Sequence, residues 1–262
     1  MSGLAGKRVL VTRAVEDQQE LAHLLLARGA EPVALPCIQF ADPVDAAPLQ
    51  DVLQSLRSGK RPEFLVLASP HAADRFLSRL DRADLAGVQI AAVGAATGRH
   101  IEEHGLQALT PSRGAGADAL LAVLAPRVHG KRVLVARAEG GNPDLLEGLE
   151  SAGAHVTAIT LYRTVPATSA HPEAARLLRA GRIDAIAFAS GSAARGFAAL
   201  FGSEAAALAA PAVIACMGRT CAADARAIGL RVDAVADGGL RELVEALESA
   251  MSTTGPRGPH PR

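Results

Sequence analysis

The sequence predicts an α/β fold in which parallel sheets carry helices on both faces. Short apolar, β-branched runs alternate with segments of helical spacing along almost the whole chain, the pattern of repeated βα units. Lys7-Arg-Val-Leu-Val-Thr-Arg-Ala14 returns as Lys131-Arg-Val-Leu-Val-Ala-Arg-Ala138, differing only where Ala136 replaces Thr12. Glycines recur at one interval of 124 residues, Gly29 with Gly153, Gly94 with Gly218 and Gly105 with Gly229. Ser69 answers to Ser190 at 121 and Gly116 to Gly239 at 123. The chain is two copies of one β/α module, although the repeat alone does not say where domains divide.

In the first copy, residues 9–12 form a strand and 16–27 a helix, with Leu21, Leu24 and Leu25 on one face and Gly29 closing it. Residues 32–35 are a strand, 36–40 stay extended, 41–44 form a loop and 45–58 a helix. Residues 64–68 are a strand. Ser69-Pro70 then opens a helix to residue 80, Ser as N-cap and Pro in the first helical position. Strand 88–93 leads through Gly94 into a helix to His104, followed by a short strand at 107–109 and a helix at 119–125. The second copy repeats the order: strand 133–136, helix 143–151, strand 156–160, helix 173–180, strand 185–189, helix 193–200, strand 212–217. A turn at 218–221, helix 222–228, strand 232–235 and helix 240–249 complete it. The Pro- and Gly-rich stretch 252–262 reads as a disordered tail.

With 262 residues, 49% hydrophobic and 21% charged, the chain is globular and has ample material for a core. Lys plus Arg and Asp plus Glu balance at 27 each, and aromatics are limited to six Phe and one Tyr. Both facts argue against a nucleic-acid binder. Three cysteines, Cys37, Cys216 and Cys221, are too few and too scattered for a disulfide framework or a structural zinc site, and suggest a reduced, cytoplasmic protein. No signal-peptide run is present, nor any stretch near the roughly 20 apolar residues that span a bilayer.

The repeated loops carry the functional signal. In each copy several strands end in Ser, Thr, Gly or Arg just before a helix: Thr12-Arg13, Ser69, Gly94 with Thr97, then Arg137, Ser190-Gly191-Ser192 and Gly218-Arg219-Thr220. Ligands of open α/β sheets sit beyond the carboxyl ends of the strands, where helix N-termini offer free N–H groups to anions. Ser and Thr there also serve as ordinary caps. Matched loops in both copies, with Arg13 and Arg137 at the same strand end, favour an anion-binding cleft. Sharper motifs fail. There is no P-loop and no Gly-x-Ser-x-Gly. Gly114-Ala-Gly116 lacks the strand a dinucleotide fingerprint needs, and His100-Ile-Glu-Glu-His104 reads as a solvated helix face rather than a zinc site.

Taken together, these residues resemble the uroporphyrinogen-III synthase family. The resemblance runs from Val9 to about Leu247 through Val-Leu-Val-Thr-Arg13, Leu-Ala-Ser-Pro-His-Ala72, Val-Gly-Ala-Ala-Thr97, Leu-Val-Ala-Arg137, Leu-Tyr-Arg-Thr164, Phe-Ala-Ser-Gly-Ser-Ala193 and Gly-Arg-Thr-Cys-Ala222. Each motif is weak alone; their order and spacing are specific. The resemblance implies two doubly wound lobes joined by a two-stranded connector: a discontinuous lobe of 1–35 with 165–251, an inserted lobe of 40–160, and connectors at 36–39 and 161–164.

It also implies a monomeric, cytoplasmic enzyme without metal or cofactor, a cyclising hydro-lyase of tetrapyrrole biosynthesis. Hydroxymethylbilane synthase would be a candidate transient partner. The reaction closes hydroxymethylbilane to uroporphyrinogen III with inversion of the last pyrrole ring through a spiro intermediate. Tyr162, the one tyrosine, matches the family's connector tyrosine and would assist hydroxide departure, directly or through water. Thr12, Arg13, Ser69, Thr97, Arg137, Ser190, Gly191, Ser192, Gly218 and Thr220 would bind the substrate carboxylates. Ala68 and Ala189 stand where members often carry Thr, and Cys221 where a second Thr is common, changes that a site built on backbone amides tolerates. The alternative reading is a two-lobed, non-catalytic binding or sensor protein for a small anion.

Overall fold

The apolar runs become strands and the amphipathic segments become helices in a computed structural model that describes residues 3–253. The first copy supplies β1 (Arg8–Val11), α1 (Gln18–Leu26), β2 (Glu31–Ala34), β3 (Ile38–Ala41), α2 (Ala47–Arg57), β4 (Phe64–Leu67), α3 (Pro70–Leu77), β5 (Gln89–Ala92), α4 (Ala95–Glu103) and α5 (Ala117–Leu124). The second supplies β6 (Arg132–Ala138), α6 (Asp144–Ser151), β7 (His155–Pro166), α7 (Pro172–Arg179), β8 (Ala185–Phe188), α8 (Gly191–Phe201), α9 (Ala205–Ala209), β9 (Val213–Met217), α10 (Gly218–Ala227), β10 (Ala234–Ala236) and α11 (Leu240–Thr253).

The chain separates into two compact units. One takes the residues up to Phe40 together with those from Thr164 onward; the other is Ala41–Arg163. The first holds a sheet in the order β10-β9-β8-β1-β2, with every pair parallel. Its strands are apolar on both faces. Leu10, Ile186, Phe188 and Ile214 pack with Phe197 and Phe201 of α8 on one side, while Val9, Val11, Ala187 and Ala215 pack with Leu21 and Leu25 of α1 and Leu243 and Leu247 of α11 on the other. Continuous apolar strands of this kind are what a sheet covered on both sides requires.

Within the second unit the strands run β7-β6-β4-β5, with every pair parallel. Phe64, Val66, Val133 and Val135 pack against Leu120 and Leu124 of α5 and Leu145 and Leu149 of α6. Leu65, Leu67 and Leu134 are buried on the opposite face. By the repeat, β6, β7, β4 and β5 are the counterparts of β1, β2, β8 and β9. The two sheets therefore share one strand order, each taking the opening strands of one copy and the later strands of the other.

Several local expectations change. Residues 155–166 make one continuous strand, longer than the expected 156–160, with a register shift between Arg137 and Ala138 that sets Ala138 beside Tyr162. Residues 218–221 are the first turn of α10 and not a loop before it; Gly218, at φ +78°, lets the chain enter the helix directly from β9. Residues 107–109 make only a single bridge, Ala91 to Leu109. The alanine-rich α9 has too little periodicity to be foreseen. The expectation of a disordered tail is overturned at its first two residues: Ser252 and Thr253 belong to α11, their hydroxyls donating to the carbonyls of Glu248 and Ser249. The remainder of that stretch, 254–262, lies outside the described residues.

Candidate functional site

In the second unit, the ends of β4 and β6, a residue of β7 and the start of α5 converge on one pocket of about 240 Å³. Ser69 follows β4, Arg137 ends β6, Tyr162 lies on β7, and Gly116 leads into α5; all four line it. Ser69 is the N-cap of α3. Its Oγ accepts the N–H of Ala72 at 3.0 Å, so one acceptor lone pair is committed. The same oxygen lies 3.0 Å from the Tyr162 hydroxyl. The phenol is 5% exposed, a polar tip held at the wall of an apolar-backed hollow. Arg137 turns onto its own loop. Its guanidinium donates to the carbonyls of Gly141 and Asn142, so its charge is held by dipoles and not by a carboxylate. Thr97 sits in the first turn of α4, 2% exposed, after Gly94 at the end of β5.

In the first unit the expected residues also lie at the carboxyl edge of the sheet, with different employment. Ser190 caps α8, accepting the N–H of Ala193 at 3.2 Å, and its Oγ meets that of Ser192 at 2.9 Å. Gly191 is small because the Asp224 carboxylate fills the space a Cβ would take. Thr220 is exposed on the first turn of α10. Thr12 is fully buried and its hydroxyl donates to the Ala187 carbonyl at 2.8 Å, so it ties β1 to β8 instead of facing a ligand. Arg13 is paired with Asp17 at 3.3 Å. Cys221, where a hydroxyl was expected, is buried and donates to the Phe188 carbonyl at 3.5 Å. Its hydrogen bond with Cys216, and burial, push the Cys216 thiol up, while the same hydrogen bond holds the Cys221 thiol below its usual range.

The His100 and His104 helix face is not simply solvated. Both rings reach Asp74 on α3, at 2.9 and 3.3 Å. Among the described residues no group of three or more His, Cys, Asp or Glu is placed to hold a metal ion. A larger hollow of about 490 Å³ exists in the same unit, lined by Lys60, Arg132 and His155 among others. It lies at the amino ends of β6 and β7, away from the strand ends that carry Ser69, Arg137 and Tyr162. The smaller pocket at the carboxyl ends is the better candidate, since that edge concentrates the donors.

The model of the family described as uroporphyrinogen-III synthase HemD matches residues 19–238. The chain belongs to the uroporphyrinogen-III synthase family. A uroporphyrinogen-III synthase from Synechococcus elongatus is 27% identical over 206 residues, covering 77% of each chain. Two solved structures share the fold over 95% of this chain and 100% of theirs. They are a uroporphyrinogen-III synthetase from Helicobacter pylori (TM-score 0.59, 15% identity) and a mutant uroporphyrinogen III synthase from Thermus thermophilus (TM-score 0.57, 18% identity). Membership makes the chain a cyclising lyase of porphyrin biosynthesis. No helix among the described residues is long and apolar enough to cross a membrane.

The surroundings of Tyr162 left no signal in the sequence. His71 meets its ring edge-on, with centroids 5.9 Å apart. The Arg75 guanidinium lies 5.6 Å from the ring centroid and pairs with Asp42 at 3.3 Å. His71 and Arg75 are four apart and so share a face of α3, while Ala72, Ala73, Phe76 and Leu77 face the core. That spacing was readable. What lay beneath the face, a residue some ninety positions later, was not.

Proposed function

We propose that this chain closes hydroxymethylbilane to uroporphyrinogen III, inverting the terminal ring, and that the Ser69–Tyr162 pair initiates the reaction. The observation that carries this is a buried phenol hydrogen-bonded to a hydroxyl whose acceptor capacity is already half used. With Ser69 donating to the phenol oxygen, the phenol O–H is the proton the reaction draws on. Tyr162 then passes its proton to the departing hydroxyl, directly or through water, as the carbon–oxygen bond breaks and water leaves. The resulting azafulvene cation is attacked by the substituted carbon of the terminal ring, giving a spiro intermediate. One bond of that intermediate breaks to form a new azafulvene cation. Reclosure at the other position and loss of the ring proton complete the macrocycle, with one water lost overall.

Nothing in these steps needs the protein to form a covalent bond. Its work is orientation, exclusion of water and support for charge. Ser69, Thr97, Arg137 and the amides at the starts of α3, α4 and α5 supply donors for the acetate and propionate groups. Ser190, Gly191, Ser192, Gly218 and Thr220 supply the same kind on the first unit. Thr12 and Arg13 support that edge from within. In this reading the protein works as a cytoplasmic monomer without a cofactor, receiving its unstable substrate from hydroxymethylbilane synthase.

The test is to give purified protein freshly made hydroxymethylbilane and resolve the oxidised isomers. The inverted isomer in excess supports the reading. Only the uninverted isomer, as in a protein-free control, overturns it and leaves a non-catalytic anion binder.

A further inference from the structure

We propose that Arg75 is a positioning residue that sets the acidity of the Tyr162 phenol and fixes its ring for proton transfer. The inference rests on the role given to Tyr162 above. A guanidinium over an aromatic face is attracted by the π cloud, and the attraction grows when the ring becomes a phenolate, because the added negative charge is shared with the ring. Burial alone disfavours the phenolate. Arg75 acts in the opposite direction, so a phenol shielded from water stays acidic enough to protonate a departing hydroxyl.

The geometry holds the cation in place without cancelling it. Asp42 takes the Arg75 guanidinium at 3.3 Å, but its side chain is 81% exposed against 27% for Arg75, so water screens the carboxylate more than the cation. Asp42 is itself tied down, its carbonyl accepting from Arg163, the neighbour of Tyr162 on β7, at 3.1 Å. The charged or titratable side chains sharing this part of the second unit include His71, Arg75, Asp42, Arg137 and Arg163. His71 packs T-shaped with the same ring and Arg137 is occupied by carbonyls, while the Arg75 guanidinium is placed over the face.

The duplicated module gives independent support. The repeat makes Ile38 the counterpart of Tyr162 and Gly196 the counterpart of Arg75. Where the strand carries no phenol, the matching helix position carries glycine and no arginine. It has no room for one, since a Cβ at 196 would fall inside the Cys37 carbonyl and 3.2 Å from the Ile38 side chain. At these two matched positions one copy carries the arginine and the tyrosine together, and the other carries neither.

The composition provides a direct readout. Tyr162 is the one tyrosine and there is no tryptophan, so the near-ultraviolet tyrosinate band titrates this residue alone. Arg75→Met should raise its midpoint by about half to one pH unit, with Arg75→Lys restoring most of the difference. Turnover on hydroxymethylbilane should fall about three- to tenfold in Arg75→Met with KM little changed, and recover in Arg75→Lys. Arg75→Gln serves if the Met variant fails to fold, as read by far-ultraviolet circular dichroism. An unchanged midpoint in the folded variants overturns the inference, as does a shifted midpoint with unchanged turnover. Wild-type protein that yields only the uninverted isomer would sink the proposed function, while the titration would still decide whether Arg75 sets the phenol's acidity.

Discussion

The corner between β4 and α3 and the corner between β8 and α8 descend from the same stretch of the repeat, and their difference shows where function entered. Both begin with Ala-Ser, both serines cap the helix, and both accept the N–H three residues on, at 3.0 and 3.2 Å. Beyond the cap they part. In the second unit the serine hydroxyl meets Tyr162 and the helix lays Arg75 across that ring. In the first, the serine meets Ser192, and Gly196 lets the helix sit directly on the Cys37 carbonyl. Backbone hydrogen bonding held the corner constant; side chains on one helix face and one strand turned one copy towards chemistry and the other towards close packing. The bridge between neighbouring helices is conserved with its polarity reversed. Asp74 on α3 faces His100 on α4, whereas Arg195 on α8 faces Asp224 on α10.

The largest expected effect tests the packing half of this contrast. Gly196→Ala gains about 1 kcal/mol of helix propensity but drives a methyl into backbone, and should cost about 3–5 kcal/mol in urea unfolding. Arg75→Ala, at the equivalent position, should cost under about 1 kcal/mol, being a part-exposed ion pair. Equal losses at the two sites would break the comparison.

Tyr162→Phe tests the chemical half. Turnover should drop about ten- to a hundredfold with folding stability nearly unchanged, checked by initial rates and thermal unfolding. An unaltered turnover number would remove the phenol from the mechanism.

A smaller pair of effects separates cap from catalyst. Ser69→Ala and Ser190→Ala should each cost about 1 kcal/mol of stability as lost N-caps. Of the two, Ser69→Ala alone should move the Tyr162 titration midpoint. A shift in both, or in neither, would contradict the distinct roles assigned to the two hydroxyls.

The smallest effect concerns the amino ends of the strands. Glu63 accepts the Arg132 N–H at 2.8 Å, as Asp184 accepts the Arg8 N–H at 2.9 Å. The Arg132 guanidinium beside it holds the Glu63 carboxyl down at about 2. A carboxyl lowered on folding lends stability that is fully present above its unfolded value of about 4.3, and that is lost as pH falls towards the folded value. Glu63→Gln should therefore be less stable than wild type near neutrality, with the gap in urea midpoint narrowing from about pH 5 to about pH 3. A gap that widens on acidification would refute the assignment.

Much of this was legible in the sequence because the signal was local or repeated. Apolar strand cores such as 64–67 and 185–188, the Ser69-Pro70 helix start and the glycines closing α1 and α6 each follow from residue type and spacing. The repeat made one copy a template for the other. Boundaries failed where local sequence permits two outcomes. Gly218 can close a turn or open a helix, and residues 161–166 can end a strand or extend it. The burial of Leu161 and Tyr162 decided the second case. Among the proposed site residues, type suggested a ligand edge, but Thr12 and Ser69 look alike in sequence. One hydroxyl is used up by the Ala187 carbonyl and the other is left against a phenol.

By itself, then, the sequence determined that the chain is a duplicated α/β module, which residues lie at its strand ends and which family it resembles, because periodicity, caps and repeats are properties of neighbouring residues. Only the tertiary structure decided that the two copies exchange strands between two sheets, that Thr12 is sealed inside one of them, and that Ser69, Arg75 and Tyr162 come together. Those outcomes depend on which distant segments share a core, and burial free energy, summed over whole faces, settles that without leaving a mark on any single stretch of chain.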